Sequence, residues 1–417
     1  MPDVSKRLAG LSPEQRKRLA QRLASDQEAA RDTISYPPPD RDPAKGMDFS
    51  ILFFSGDGAK ETGQKYELLL ESAKFADQHD FAAVWTPERH FQNFGGLYPN
   101  PSVLGAALSM VTEHIQIRAG SIVAPLHNVI RIAEEWAVVD NLSGGRIALS
   151  FASGYHPGDF TLAPDNYENR RAITFENIEL FRRLWSGESV SFRGVGDAEM
   201  PITILPKPVQ PQVPIWLTSS SSTGTWIKAG ESGFNILTGL TGVGPEPLAA
   251  LSKKISLYRE TLTQNGHDPQ SGKVALMLHT FIDDDMDTVR EKVRQPLSGY
   301  LRTFMSQDEK LTTREFRAGV EDIRDDDKDA LVSFAFNQFL NTNSLLGTPD
   351  KCAGMINRLL AIGVDEVACL VDFGLDVEAV LNGLDHLNEL RIQYLRAPVV
   401  EGVASATEGA QPAQERV

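Results

Sequence analysis

Three short stretches of the 417-residue chain carry side chains whose types and spacing suit chemistry. Glu88-Arg89-His90-Phe91 sets three titratable groups beside an aromatic ring, directly after the apolar run Phe81–Trp85. A histidine there is a candidate proton donor or acceptor near neutral pH. The plainer reading ties it to a loop carbonyl. Ser219, Ser220 and Thr223, within the run TSSSST at 218–223, crowd hydroxyls and free N–H groups at a helix start, where the helix dipole favours a phosphate. Ser153 and Gly154 add donors from another loop, and Arg170 and Arg171 supply cationic charge where the following helix opens. Taken alone, a serine-rich helix start is a capping motif.

Other chemistries find little support. There is no G-x-S-x-G nucleophile elbow and no H-E-x-x-H. Cys352 falls mid-helix and Cys369 mid-strand, where a small apolar side chain packs, and two cysteines build neither a disulfide framework nor a four-cysteine zinc site. Asp283-Asp284-Asp285 reads as a turn with a helix cap. His127 and His156 also follow predicted strands and are weaker candidates, whereas His79, His114, His267, His279 and His386 read as structural.

The elements that must position these groups alternate. Strands are expected at Met47–Phe54, Phe81–Trp85, His114–Ile122, Arg146–Phe151, Pro214–Leu217, Asn235–Thr238, Lys273–Ile282 and Asp365–Val371. Between them the apolar spacing predicts helices: Glu67–His79, Pro101–Thr112, Val129–Leu142, Arg171–Trp185, Thr223–Gly230, Pro247–Thr263, Met286–Met305, Pro349–Ile362 and Asp376–Arg396. Eight strands in this rhythm make an α/β fold, a (β/α)8 TIM barrel. A doubly wound sheet is disfavoured, since no strand leads into G-x-G-x-x-G or a P-loop. The Gly- and Pro-rich stretch 187–212, after the fourth helix, reads as an inserted hairpin. The charged excess at Ser306–Asn343, between strands seven and eight, reads as a solvated excursion or a lid over the barrel mouth. Active sites of such barrels lie at the C-terminal strand ends, where all three stretches fall.

Three regions are expected along the chain. Residues 1–45 form an N-terminal appendage, a helix started by Ser12-Pro13-Glu14-Gln15 and a stiff linker at Tyr36-Pro37-Pro38-Pro39. The barrel spans 46–397, and 398–417 is a tail without periodicity, expected to be disordered. With 41 basic and 56 acidic residues the formal charge is −15, which argues against a nucleic-acid partner. No apolar run is long enough for a membrane span, and the first residues lack the apolar core of a secretory signal, so a cytoplasmic protein is expected.

These residues resemble the bacterial-luciferase-like flavin monooxygenases. The resemblance runs from about Met47 to Leu390 and is most specific at Trp85-Thr86-Pro87-Glu88-Arg89-His90-Phe91, Gly95-Gly96-Leu97-Tyr98-Pro99-Asn100-Pro101, Val139-Asp140-Asn141-Leu142-Ser143-Gly144-Gly145-Arg146 and Phe151-Ala152-Ser153-Gly154-Tyr155. It is most similar to the branch encoded with nonribosomal peptide and polyketide assembly lines, and Leu11–Arg16 resembles their linker helices. The resemblance implies reduced FMN from a separate flavin reductase, O2 as co-substrate, oxygen insertion into a small or carrier-bound secondary-metabolite intermediate, and a homodimer. It implies that Gly120 and Ser121 lie under the isoalloxazine, often at a non-proline cis bond. It implies further that Ser153, Gly154, Tyr155, Arg171, Ser219, Ser220 and Thr223 hold the phosphate, and that Glu88, Arg89 and His90 are catalytic. The luciferases proper carry Glu-His-His where this chain has Glu88-Arg89-His90, so Arg89 occupies the position of their main catalytic histidine. Ser153 stands where they place an arginine, which leaves Arg171 as the cation. A deazaflavin (F420) oxidoreductase and a non-catalytic flavin-binding or scaffold protein of an assembly line are the alternatives.

Overall fold

A computed structural model describes residues 46–54, 65–92, 95–219, 221–240, 246–311 and 325–395. The expected appendage, the tail and Ser220 lie outside these residues. Eight parallel strands close a barrel in the order β1 (Asp48–Leu52), β2 (Ala83–Thr86), β3 (Gln116–Val123), β4 (Ile147–Ala152), β7 (Ile215–Thr218), β8 (Asn235–Gly239), β9 (Val274–Ile282) and β11 (Glu366–Leu370), with β11 paired back onto β1. Outside the barrel, β5 (Val190–Arg193) and β6 (Glu199–Ile202) form an antiparallel pair, the expected hairpin.

The connecting helices are α1 (Glu67–Gln78), α2 (Pro101–Ser109), α3 (Val129–Ser143), α4 (Arg170–Trp185), α5 (Thr223–Ser232), α6 (Glu246–Gln264), α7 (Met286–Leu311), α8 (Asp325–Asn341), α9 (Pro349–Ala361) and α10 (Val377–Gln393). Local chemistry sets their ends. Asn100 Oδ1 accepts the N–H of Ser102 at 3.0 Å and of Val103 at 3.1 Å, with Pro101 at the first position of α2. Asp376 caps α10 through the Ala379 N–H at 2.9 Å. Among the described residues no helix is long and apolar enough to cross a membrane.

The excess segment differs from its expectation. Helix α7 runs on to Leu311, α8 follows 325, and a short strand β10 (Leu345–Gly347) pairs with the end of β9. Val332, Phe336 and Leu340 are buried at a four-residue spacing that holds one face of α8 inward.

Side chains fill the barrel. In its lower half Arg118 Nη1 donates to Glu366 Oε2 at 2.8 Å, and the Ser50 hydroxyl donates to Glu366 Oε1 at 2.5 Å. Trp85 and Trp216 flank the guanidinium at 4.7 and 4.9 Å from their ring centres. Nearer the mouth, hydroxyls from three adjacent strands converge: Thr218 Oγ1 lies 2.5 Å from Ser121 Oγ and 2.7 Å from Ser150 Oγ. The ionic layer plugs the floor and the hydroxyl layer supports what sits above it.

Candidate active site

Glu88 anchors the loop after β2. Its Oε1 accepts from His90 Nε2 at 2.9 Å and from His127 Nε2 at 2.5 Å, and its Oε2 accepts the Val123 N–H at 2.7 Å. Burial pushes this carboxyl toward protonation, but the hydrogen bonds from both imidazoles and the backbone outweigh it and hold the pKa below the ordinary value. For His127, burial disfavours the cation, while the hydrogen bond and charge of Glu88 prevail and raise its pKa. His90 is therefore tied to a carboxylate, and the loop-carbonyl reading is replaced. His156 and Asp159, in the loop after β4, lie 3.5 Å apart beside this cluster, and burial raises the Asp159 pKa.

Arg89 is buried and crosses to the β4 loop. Its Nη1 donates to the Tyr155 hydroxyl at 2.7 Å, and its guanidinium carbon lies 5.2 Å from the Phe54 ring centre. Gly95 makes room for it. At φ +79° the chain turns back over Arg89, and a Cβ there would meet Arg89 Cγ at 2.6 Å. Tyr155 itself is half-exposed.

The stretches expected to bind an anion follow β4 and β7, which are neighbours in the barrel. Ser222 precedes α5 but its hydroxyl makes no capping hydrogen bond. The Thr225 N–H donates to the Ser222 carbonyl at 3.3 Å, and among the described residues the N–H groups ahead of it have no hydroxyl cap from Ser222. Thr223 and Arg171 are exposed at their helix starts. Ser219 is buried: its N–H donates to the Leu237 carbonyl at 3.0 Å and its hydroxyl to the Ser222 carbonyl at 3.1 Å. It shapes the turn in this state. Gly154 takes φ +70° against Val123 and Phe160. The Gly120–Ser121 peptide bond is cis, as the resemblance implied.

The opposite wall holds groups that the sequence gives as structural or passes over. His279, near the end of β9, is fully buried, and its ring meets Tyr300 of α7, Phe339 of α8 and Phe373 at centroid distances of 4.5, 5.3 and 5.5 Å. Its Nε2 has no hydrogen-bond partner among the described residues, and burial pulls its pKa down to about 3. Tyr300 lies within electrostatic reach of Asp372, Tyr155 and Arg89, and burial raises its pKa. Asp372 joins the ends of β11 and β1, both its oxygens accepting the Phe54 N–H at 3.0 Å. Helices α7 and α8 thus reach the polar mouth, so the excess segment contributes walls there. Of the polar groups gathered at this mouth, His127 is a weaker candidate of the sequence reading, while Thr218, Tyr300 and Asp372 are not singled out there. The available signal was position, since Thr218 and Asp372 lie at or just past strand ends.

The two thiols are pushed up to about 12 by burial and act as packing groups. Among the described residues no group of three acidic, histidine or cysteine side chains is arranged to hold a metal. Two features suit a flavin mononucleotide. The α5 start offers uncapped N–H groups to a phosphate. Gly120 lets the β3 backbone approach Trp85 closely, since a Cβ there would lie 2.9 Å from Trp85 Cε3, and it precedes Ser121, whose hydroxyl belongs to the layer near the mouth.

A closed parallel barrel with its polar groups gathered at one rim is the architecture of a β/α-barrel enzyme. The family model for luciferase-like monooxygenases matches residues 47–366, and the chain belongs to that family. It is 23% identical over 343 residues to the oxygenase component of a flavin-dependent trigonelline monooxygenase from Acinetobacter baylyi, covering 81% of this chain and 92% of the relative. Among solved structures, the oxygenating constituent of 3,6-diketocamphane monooxygenase from Pseudomonas putida, in complex with FMN, superposes with a TM-score of 0.66 at 20% identity, over 84% of this chain and 99% of that one. An F420-dependent secondary alcohol dehydrogenase superposes with a TM-score of 0.60 at 17% identity, over 84% of this chain and 99% of that one.

Proposed function

We propose that this chain is the oxygenase of a two-component system, taking reduced FMN from a separate flavin reductase and using O2 to insert oxygen into a small organic substrate. The carrying observation is the start of α5, where Ser222 leaves the N–H groups uncapped beside exposed Thr223 and Arg171. The flavin-dependent oxygenase component from Acinetobacter supports the same reading. The phosphate is held by the α5 N–H groups, Thr223, Ser219, Ser220, Arg171 and the Ser153-Gly154-Tyr155 loop, with the Ser219 hydroxyl turning from the Ser222 carbonyl to the anion. Gly120 and Ser121 form the flat wall against the ring system.

Bound there, the flavin supplies the reducing electrons and the activation of O2. The protein orients, excludes water and handles protons. Arg89, fixed by Tyr155 and Phe54, presents a permanent positive charge to the anionic reduced ring. Glu88 orients His90 through Nε2, and His90 Nδ1 takes up or returns the proton of the substrate. The aromatic wall of Tyr300, Phe339 and Phe373 keeps water from the reacting groups. The substrate is a secondary-metabolite intermediate, free or carrier-bound.

The F420 reading shares the phosphate site. Anaerobic titration separates the two. Tight binding of reduced FMN, with O2 consumption on addition of a reductase and NADH, supports the oxygenase. Preferential binding of F420 with hydride transfer and no O2 uptake defeats it.

A further inference from the structure

Glu88 offers one carboxylate oxygen to two imidazoles. Its Oε1 receives His90 Nε2 at 2.9 Å and His127 Nε2 at 2.5 Å, while the Val123 N–H holds Oε2 at 2.7 Å and prevents the carboxylate from turning. An ionised carboxylate has no proton to give, so both Nε2 atoms carry hydrogen, and a neutral ring keeps its lone pair on Nδ1. The two rings are fixed in one tautomer and compete for one negative charge.

They are not equivalent. The carboxylate is fully buried, the His90 side chain is 10% exposed and that of His127 is 34% exposed. Glu135 of α3 lies within electrostatic reach of His127, and its carboxylate is engaged by Arg131 at 2.9 Å and by the Ser102 hydroxyl at 2.9 Å. On the His90 side, Asp159 of the loop after β4 lies within electrostatic reach of His90, Arg89, His156 and Glu88. Each ring has a second acid within reach, Glu135 for His127 and Asp159 for His90. What separates them is hydration, which favours a proton on the more exposed His127, and the fixed cation of Arg89 next to His90 in the chain.

We propose that His127 is a positioning residue for His90. It carries the positive charge of the shared carboxylate site, and so keeps His90 neutral with its Nδ1 lone pair free to accept a proton from substrate. The inference rests on the proton-handling role of His90 given above. No bond to the flavin is involved: a proton from solvent resides on His127, and the Glu88 charge is answered there. Coupling between two sites is reciprocal, so removing the His127 charge must strengthen proton binding at His90.

The test is an NMR titration of histidine side chains in the flavin-free full chain from about pH 5 to 9, run beside the pH profile of turnover. His127→Gln keeps an amide donor for Glu88 and removes the charge. In this variant His90 is expected to take up its proton about half a pH unit or more above wild type, as expected for a close charge pair. The acid limb of turnover moves the same way. Glu135→Gln, which leaves the Glu88 contacts intact, lowers the pH at which His127 releases its proton and moves His90 upward by less. A His90 titration unmoved in both variants, or moved downward, overturns the proposal. A shifted His90 titration in a protein that shows no FMN-dependent turnover supports the coupling and defeats the flavin reading instead.

Discussion

Arg89 and Tyr155 lie 66 residues apart in sequence, and the guanidinium of one donates to the hydroxyl of the other at 2.7 Å. That bond ties the β2 loop, which carries Glu88 and His90, to the β4 loop, which leads into the phosphate stretch. It joins the side of the mouth proposed to handle protons to the side proposed to hold the phosphate. Tyr155→Phe keeps the ring against Arg89 and removes the acceptor. It is expected to cost about 1 kcal/mol of reduced-flavin affinity, as for a charge-assisted hydrogen bond. Unchanged anaerobic binding would show that the link is dispensable.

Arg171→Ala is expected to weaken FMN binding by at least about 1 kcal/mol, the size of a charge-assisted contact to phosphate. Riboflavin, which lacks the phosphate, should bind both proteins alike. Equal FMN dissociation constants for wild type and variant would remove Arg171 from the site.

Gly120→Ala places a methyl 2.9 Å from Trp85 Cε3, and that indole cannot retreat because its Nε1 donates to Ser50 Oγ at 2.9 Å. Overpacking of this kind costs roughly 1–3 kcal/mol. Urea unfolding and flavin titration should both register it. A variant as stable as wild type and as tight for FMN would mean that the wall yields.

Much of the fold was legible because barrel strands read as short apolar runs bounded by turns. The eight expected strands match the observed ones to within a residue or two at most ends. Helix α8 was not legible. Its opening Asp325-Asp326-Asp327 reads as solvated, and the buried Val332, Phe336 and Leu340 gain meaning only once the barrel wall exists. The site was half legible. Strand-end position marked Glu88, His90 and Ser219, but the sharing of Glu88 between His90 and His127 joins loops 39 residues apart and has no local signature. His279 was legible as a packing residue, though not its partners. A histidine inside an apolar strand reads as packing, and its aromatic surroundings come from α7, α8 and the β11 loop.

The same His279 gives a pH signature. It is neutral in the fold, with its pKa pulled down by burial to about 3, and titrates near its ordinary value once unfolded. Below about pH 6.5 the unfolded chain therefore binds a proton that the native state refuses, so stability falls with acid, by up to about 1.4 kcal/mol per pH unit. His279→Phe keeps the ring contacts and removes this proton. Urea midpoints from about pH 7 down to 4.5 should show a shallower acid decline for the variant than for wild type. Parallel declines would mean that His279 takes its proton in the native state.

Breaking the ionic plug is expected to be costly. Arg118→Met leaves Glu366 charged and buried, with Ser50 and Trp85 as its remaining side-chain partners among the described residues. Removing one partner of a buried pair costs about 3–5 kcal/mol, and adding Glu366→Gln should recover a large share. A loss under about 1 kcal/mol in the single variant would show that water reaches the floor.

The most direct measurement compares the affinities of reduced FMN, reduced riboflavin and F420 for the full chain by anaerobic titration. If the phosphate rests on the start of α5, reduced FMN binds at least tenfold tighter than reduced riboflavin, about 1.4 kcal/mol, and tighter than F420. Equal binding of FMN and riboflavin, or a preference for F420, would contradict it.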